Sequence, residues 1–338
     1  MLGTMLYGTR DIRFEEVPEP KIEKPTDAVI RIVAACVCGS DLWGYRGISP
    51  VNSPTPMGHE YCGVVEEVGQ DVKLVKPGQF VIGSFFASDN TCPHCTFGYQ
   101  TSCTAKEFIT RAQAPYLRVP LADGTLVATP GMPSKETIPS LLTASDVFGT
   151  GWFAASAANV KPGGTAVVVG DGAVGLLAVL SAKQQGAERI IAMSRHESRQ
   201  KLALEFGATD IVAARGEDGV EQIKVLTKGI GADSVMECVG HAESMSQAIR
   251  STRPGGYTSF VGVPHDVTFR GEELFYSHVH LHGGPAPVRN FLPELIDLIW
   301  TEKVHPGKVF DLTLQLHEVA EGYKAMDERR AIKALLQP

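Results

Sequence analysis

"TAVVVGDGAVG", residues 165–175, joins a β-branched apolar run to a glycine-spaced turn and the start of a helical pattern. Five residues, Thr165–Val169, are too few and too branched to open a helix, and they predict a strand buried on both faces. The turn fits G-x-G-x-x-G, with Gly170 for the tight bend, Gly172 for close approach of a pyrophosphate, and Gly175 for helix–strand packing. Ala173 precedes and Val174 opens the helix "VGLLAVLSAKQQG", whose N-terminal N–H groups and dipole favour phosphate. The same rhythm continues downstream. "RIIAMS", "DIVAA", "DSVMECVG", "GYTSFVGV" and "VHLHGG" read as strands, with "ESRQKLALEFG", "VEQIKVLTKG" and "AESMSQAIRS" as helices between them. Alternation of this kind predicts a doubly wound α/β domain with a parallel sheet, over residues 148–285.

The end of the second strand sets the expected cofactor. A site selective for NAD(H) places Asp or Glu there, on the ribose 2′-hydroxyl. "AMSRHESR" offers Ser194, Arg195 and Arg199 instead, which suits a 2′-phosphate and predicts NADP(H) over NAD(H).

Residues 1–147 have a different texture. Short β-like runs such as "DAVIRIVAACVCG" and "CGVVEEVG" alternate with Pro and Gly, as in a twisted antiparallel sheet with long loops. "DVFGTGWFAASAANV" then reads as a helix stopped by "KPGG". After residue 285 come two amphipathic helices, "FLPELIDLIW" and "LHEVAEGYKAM", which need a surface to bury against. The first domain is the natural one, so it takes residues 1–147 and 286–338, with the α/β domain inserted.

The 338 residues carry a net charge of −7 and no Lys/Arg block, which argues against a nucleic-acid partner. No run of about 18 apolar residues predicts a membrane span, and the N-terminal stretch lacks the features of a leader. Seven cysteines in so long a chain are too few for a disulfide framework, and a reducing, cytoplasmic setting is the expectation.

Three of those cysteines lie in "SDNTCPHCTFGYQTSC", residues 88–103. A redox pair, a disulfide knot and a metal lobe are all open on composition; no thioredoxin-like βαβ pattern surrounds the C-x-x-C. Upstream, "CVCGSDLW" gives Cys38 and "MGHEYCG" gives His59 and Glu60. Taken alone, Cys38 reads as buried core and Asp146, in "TASDVFGTG", as a helix N-cap. "SHVHLHGG" puts His278, His280 and His282 on one face of a strand, as packing, an interface or a metal ladder.

"GHEYCGVVEEVGQDV", residues 58–72, resembles the signature G-H-E-x-x-G-x5-G-x-x-V of the zinc-dependent medium-chain alcohol dehydrogenases. The likeness runs along essentially the whole chain and is nearest to the bacterial NADP-dependent secondary alcohol dehydrogenase branch. It implies a mainly β, GroES-like catalytic domain beside a Rossmann domain. It also implies a catalytic zinc on Cys38, His59 and Asp146, with Glu60 as an exchangeable fourth ligand. Ser40 then takes the alcohol proton, Asp41 orients His59, and Lys333 touches the NADP phosphate. A structural zinc lobe is spaced C-x2-C-x2-C-x7-C in the family; Cys92, Cys95 and Cys103 match its last three positions, and Asp89 replaces the first.

Many relatives carry a proton-relaying His where this chain has Trp43, which cannot relay. With Phe85, Phe86 and Trp152 it is a candidate pocket wall, favouring small apolar alcohols and carbonyls. The resemblance implies a homo-oligomer, dimer or tetramer. Sugar or polyol dehydrogenase is the alternative within the family. A zinc-free quinone reductase would lack Cys38 and His59, and a non-catalytic NADP-binding protein would show no zinc-dependent turnover.

Overall fold

In the computed structural model, which describes residues 1–338, Thr165–Val169 lies inside a six-stranded, wholly parallel sheet. The spatial order is Asp210–Val212, Arg189–Met193, Thr165–Val169, Ala232–Glu237, Thr252–Phe260, His280–Gly283. Sequence order therefore reverses beside Thr165–Val169, the position at which doubly wound sheets bind ligands outside their carboxyl ends. Val167, Val169, Ile191, Met193, Val212 and Val235 form one buried cluster with Ile223 and Ala248 of the covering helices Gly216–Leu226 and Ala242–Ser251. Each of these Val, Ile and Met side chains contributes roughly 1.5–3 kcal/mol by leaving water, so the all-apolar strands are what the sheet requires.

One element lies outside the sequence pattern. Gly271–Ser277 is a helix with no buried residue, so no apolar stripe announces it. His278 ends that helix at φ +53° and lies outside the strand. His280 stacks on Tyr257 at 4.3 Å, and His282 sets an edge to Phe153 at 5.7 Å. The three histidines pack separately and do not form a ladder.

The chain divides into two units, Met1–Gly149 with Pro287–Pro338, and Thr150–Ala286. The first is built on a seven-stranded sheet whose centre is Ala28–Cys36. Tyr61–Val68 and Tyr116–Val119 pair antiparallel with it. So does the C-terminal strand Ala334–Gln337, through Leu335↔Cys36 and Leu336↔Ala35. That pairing brings the chain's last residues to its thirty-sixth. The helix Val319–Asp327 buries Val319, Tyr323, Ala325 and Met326 in a core shared with Leu6, Val37, Leu42 and Tyr45. The late amphipathic helix thus closes the domain begun some 300 residues earlier.

Candidate metal centre and cofactor site

Four side chains converge at the end of the central strand of the first unit. Cys38 follows Ala28–Cys36, His59 and Glu60 precede Tyr61–Val68, and Asp146 precedes the helix Val147–Ala157. Gly58 makes the approach to His59 feasible. It holds φ +95°, and a Cβ there would meet the Gln113 backbone N at 2.5 Å. The donor atoms of Cys38, His59, Glu60 and Asp146 all lie within 4.8 Å of one another, and all four residues are buried.

The neighbours of this cluster are arranged around charge. Asp41 accepts the Cys38 backbone N–H at 3.0 Å and faces His59 Nδ1 at 3.3 Å. His59 Nε2 then faces Asp146 Oδ2 at 3.2 Å, with Cys38 Sγ 3.6 Å from that same oxygen. Burial works against a charge on the ring, but Asp41 and Cys38 outweigh it and hold His59 protonated well above the usual imidazole range. Burial first, then the Glu60 and Asp146 carboxylates, push the Cys38 thiol up to about 11. Glu60 is fully buried; its Oε1 accepts Lys333 Nζ at 2.7 Å, and its Oε2 has no partner.

A buried thiol, two buried carboxylates and an orphaned carboxylate oxygen around one point are costly without a cation. A divalent ion held there would replace the protons on Cys38 and His59 and offset the carboxylate charge. Thiolate, imidazole and carboxylate oxygen are zinc donors, so the residues fit that metal.

Lys333 is a correction to the sequence reading, which gave it the cofactor phosphate. It is fully buried, with Nζ donating to Glu60 Oε1 and to Val37 O at 3.2 Å. The reason is topological: Ala334–Gln337 pairs beside Cys36, so residue 333 enters under the metal cluster rather than lying at a surface. Burial pulls the ammonium down, yet Cys36 and Glu60 outweigh it, and the group stays charged.

Ser40 caps the short helix Asp41–Tyr45, and its hydroxyl makes no capping hydrogen bond to the helix backbone. Phe85, Phe86 and Phe108 form an aromatic wall, with the Phe85 and Phe108 rings 6.2 and 5.4 Å from His59. Phe108 was not legible in the sequence. It joins the wall because Phe86 and Phe108 pair across a two-stranded ribbon.

A second cluster joins Asp89, Cys92, Cys95 and Cys103, again with donor atoms within 4.8 Å. Cys92 Sγ lies 3.6 Å from Cys95 Sγ and 3.9 Å from Cys103 Sγ, and all three cysteines are free thiols. The Thr91 and Cys92 N–H groups donate to Asp89, overcoming its partial burial and holding its carboxyl down at about 2. Backbone N–H groups of Thr104 and Cys95 bring the Cys92 thiol down to about 6. His94 turns away, with Nδ1 2.6 Å from Ser102 O. Three thiols and a preformed carboxylate suit tetrahedral zinc.

In the second unit the glycine turn has the form a dinucleotide needs. Gly170 holds φ +121°, and a Cβ on Gly175 would sit 2.1 Å from Gly170 O. A Cβ on Gly172 would meet nothing, so protein packing does not demand that glycine. Open space there, before the helix Ala173–Gln184, fits a pyrophosphate against N–H groups that have no intrahelical acceptor. At the end of Arg189–Met193, Ser194 is buried and Arg195 exposed. The turn itself supplies a carboxylate that the sequence reading overlooked. Asp171 accepts Ser194 Oγ–H at 2.8 Å and pairs with Arg199 Nη1 at 3.3 Å.

The fold and the four-donor cluster are those of a metal-dependent dehydrogenase with a nucleotide-binding domain. Residues 24–134 match the family model "Alcohol dehydrogenase GroES-like domain", and residues 173–301 match "Zinc-binding dehydrogenase". Zinc-type alcohol dehydrogenase B of Aspergillus flavus is 31% identical, covering 100% of this chain and 81% of its own. Sorbitol dehydrogenase of Bacillus subtilis is 32% identical over 78% of this chain and 75% of its own. Among solved structures, the alcohol dehydrogenase TADH from Thermus sp. ATN1 superposes with a TM-score of 0.92 at 30% identity, covering 100% of this chain and 99% of that one. The chain belongs to the zinc-dependent medium-chain alcohol dehydrogenase family.

Proposed function

We propose that this protein is a zinc-dependent dehydrogenase or carbonyl reductase that exchanges hydride between NADP(H) and a small alcohol and its ketone or aldehyde. The observation that carries the reading is the buried Cys38–His59–Glu60–Asp146 cluster with its unpartnered Glu60 oxygen. Cys38, His59 and Asp146 would hold the ion, with Glu60 as an exchangeable fourth donor. Zinc held there supplies a Lewis acid, which acidifies an alcohol or polarises a carbonyl.

The chain's own groups do the rest. Oxidation removes a proton from the hydroxyl and a hydride from the adjacent carbon. Ser40, two residues after Cys38, accepts the proton, and Trp43 has no group to relay it onward. Asp41 holds Nδ1–H of His59 and leaves Nε2 for the metal. Gly170, Gly172, Ala173, Val174 and Gly175 seat the pyrophosphate, and exposed Arg195 favours a 2′-phosphate.

The aromatic wall of Phe85, Phe86 and Phe108 favours apolar alcohols. With NADP+ in excess, kcat/KM for a small secondary alcohol should exceed that for sorbitol by at least about tenfold, the discrimination an apolar pocket supports. The reverse order on the same panel would favour the polyol reading, which the sorbitol dehydrogenase relative supports. We read the Asp89–Cys92–Cys95–Cys103 lobe as a structural zinc site. Asp89→Ala should lose about one zinc per chain and melt earlier, yet retain turnover below its melting point. Retention of the full zinc count would remove Asp89 from the ligand set. Following the family resemblance, we expect a cytoplasmic dimer or tetramer, which light scattering on the purified protein measures.

A further inference from the structure

The end of the second strand of the parallel sheet carries two opposed features. Arg195 is exposed there and suits a 2′-phosphate. Ser194 and Arg199, the other two groups that could bind that phosphate, are both held by Asp171. The Ser194 hydroxyl proton points to Asp171 Oδ2 at 2.8 Å, so Ser194 has only lone pairs left for a ligand. Lone pairs repel phosphate oxygens but accept from a ribose hydroxyl. Arg199 Nη1 contacts Asp171 Oδ1 at 3.3 Å and Asp171 O at 3.2 Å, which offsets its charge. Gln200 Nε2 donates to Ser194 O at 2.8 Å and fixes the strand end in this arrangement. Asp171 and Ser194 are both at least nine-tenths buried, so water screens the carboxylate little.

We infer that Asp171 is a specificity-determining residue: by restraining Ser194 and Arg199 it keeps the preference for NADP(H) over NAD(H) small. The inference rests on the proposed dinucleotide site, and no family pattern supplies it, because residue 171 is an unspecified position of the glycine motif. A carboxylate normally reaches the ribose from the strand end; here it reaches the same place from the turn. Asp171→Asn keeps the volume and an acceptor for Ser194, removes the charge that pairs with Arg199, and leaves Arg199 only the neutral backbone O of residue 171 at 3.2 Å.

The test is calorimetric titration with 2′,5′-ADP and 5′-AMP, which differ by the 2′-phosphate and carry no nicotinamide, so it needs no turnover. The readout is the ratio of their affinities. Wild type should favour 2′,5′-ADP by only about threefold, and Asp171→Asn should raise that ratio about tenfold, or about 1.4 kcal/mol. Arg199→Met should lower 2′,5′-ADP affinity by less than about twofold in wild type, yet remove most of the gain in Asp171→Asn, a coupling read from the double-mutant cycle. An unchanged or lower ratio in an Asp171→Asn protein that melts with the wild type overturns the assignment. So does a loss of about tenfold or more from Arg199→Met alone, a measurement that stands even if the Asp171 variant does not fold. A wild type that favours 5′-AMP refutes the NADP(H) preference, while the Asp171→Asn shift still decides the role of Asp171. Wild type binding neither nucleotide refutes the cofactor site and this inference with it.

Discussion

Cys38→Ser should lower kcat/KM for alcohol oxidation by about 10³-fold, about 4 kcal/mol at 1.36 kcal/mol per decade. The serine hydroxyl keeps the shape of the site but is a far poorer metal donor than a thiolate. The cluster then keeps His59, Asp146 and Glu60, with His59 still able to hold a proton between Asp41 and Asp146. The fall should appear in kcat as well as kcat/KM, because the lost interaction is strongest where charge develops on the reacting oxygen. NADP(H) affinity is a separate readout and should change little, since the glycine turn belongs to the other unit. Activity within about tenfold of wild type would take Cys38 out of the catalytic site.

Lys333→Met should destabilise the metal-free protein by about 3 kcal/mol, the range for breaking a buried ion pair from one side. The substitution strips Glu60 Oε1 of its donor while Oε2 already lacks one, and it leaves Val37 O unpaired as well. A buried carboxylate that has lost its hydrogen-bonded counter-charge then takes up a proton or admits water, and both lower stability. Two further measurements separate this from lost packing. Zinc-loaded Lys333→Met should lose less, because a cation in the cluster serves Glu60 in place of the ammonium. Adding Glu60→Gln should recover at least about half of the loss, since a neutral amide does not need the charge. A loss below about 1 kcal/mol in chelator-treated protein would show that the pair does not hold this end of the fold together.

The sequence carried local features well and distant ones poorly. The turn at residues 170–175 was legible because strand, glycines and helix are consecutive, and each residue meets its partner within one βαβ unit. His59 and Glu60 drew notice through their flanking glycines, but Asp146 joined them only through the family resemblance. Its own neighbourhood reads as a helix start, and 85 residues of intervening chain separate it from Glu60. Lys333 was misread for the same reason. Nothing in "AIKALLQP" announces that Ala334–Gln337 pairs with Ala28–Cys36, and without that pairing a lysine near a chain end looks exposed. Asp171 shows the converse limit. Its place in the motif was plain, but its effect depends on Ser194 and Arg199, brought to it by the next strand and helix.

Zinc content tests the central claim most directly. Elemental mass spectrometry on wild type and Cys38→Ser, purified without added metal, should give about two zinc ions per chain falling to about one, matching the two donor clusters. Wild-type protein that holds no zinc and takes up none when it is added would contradict the account.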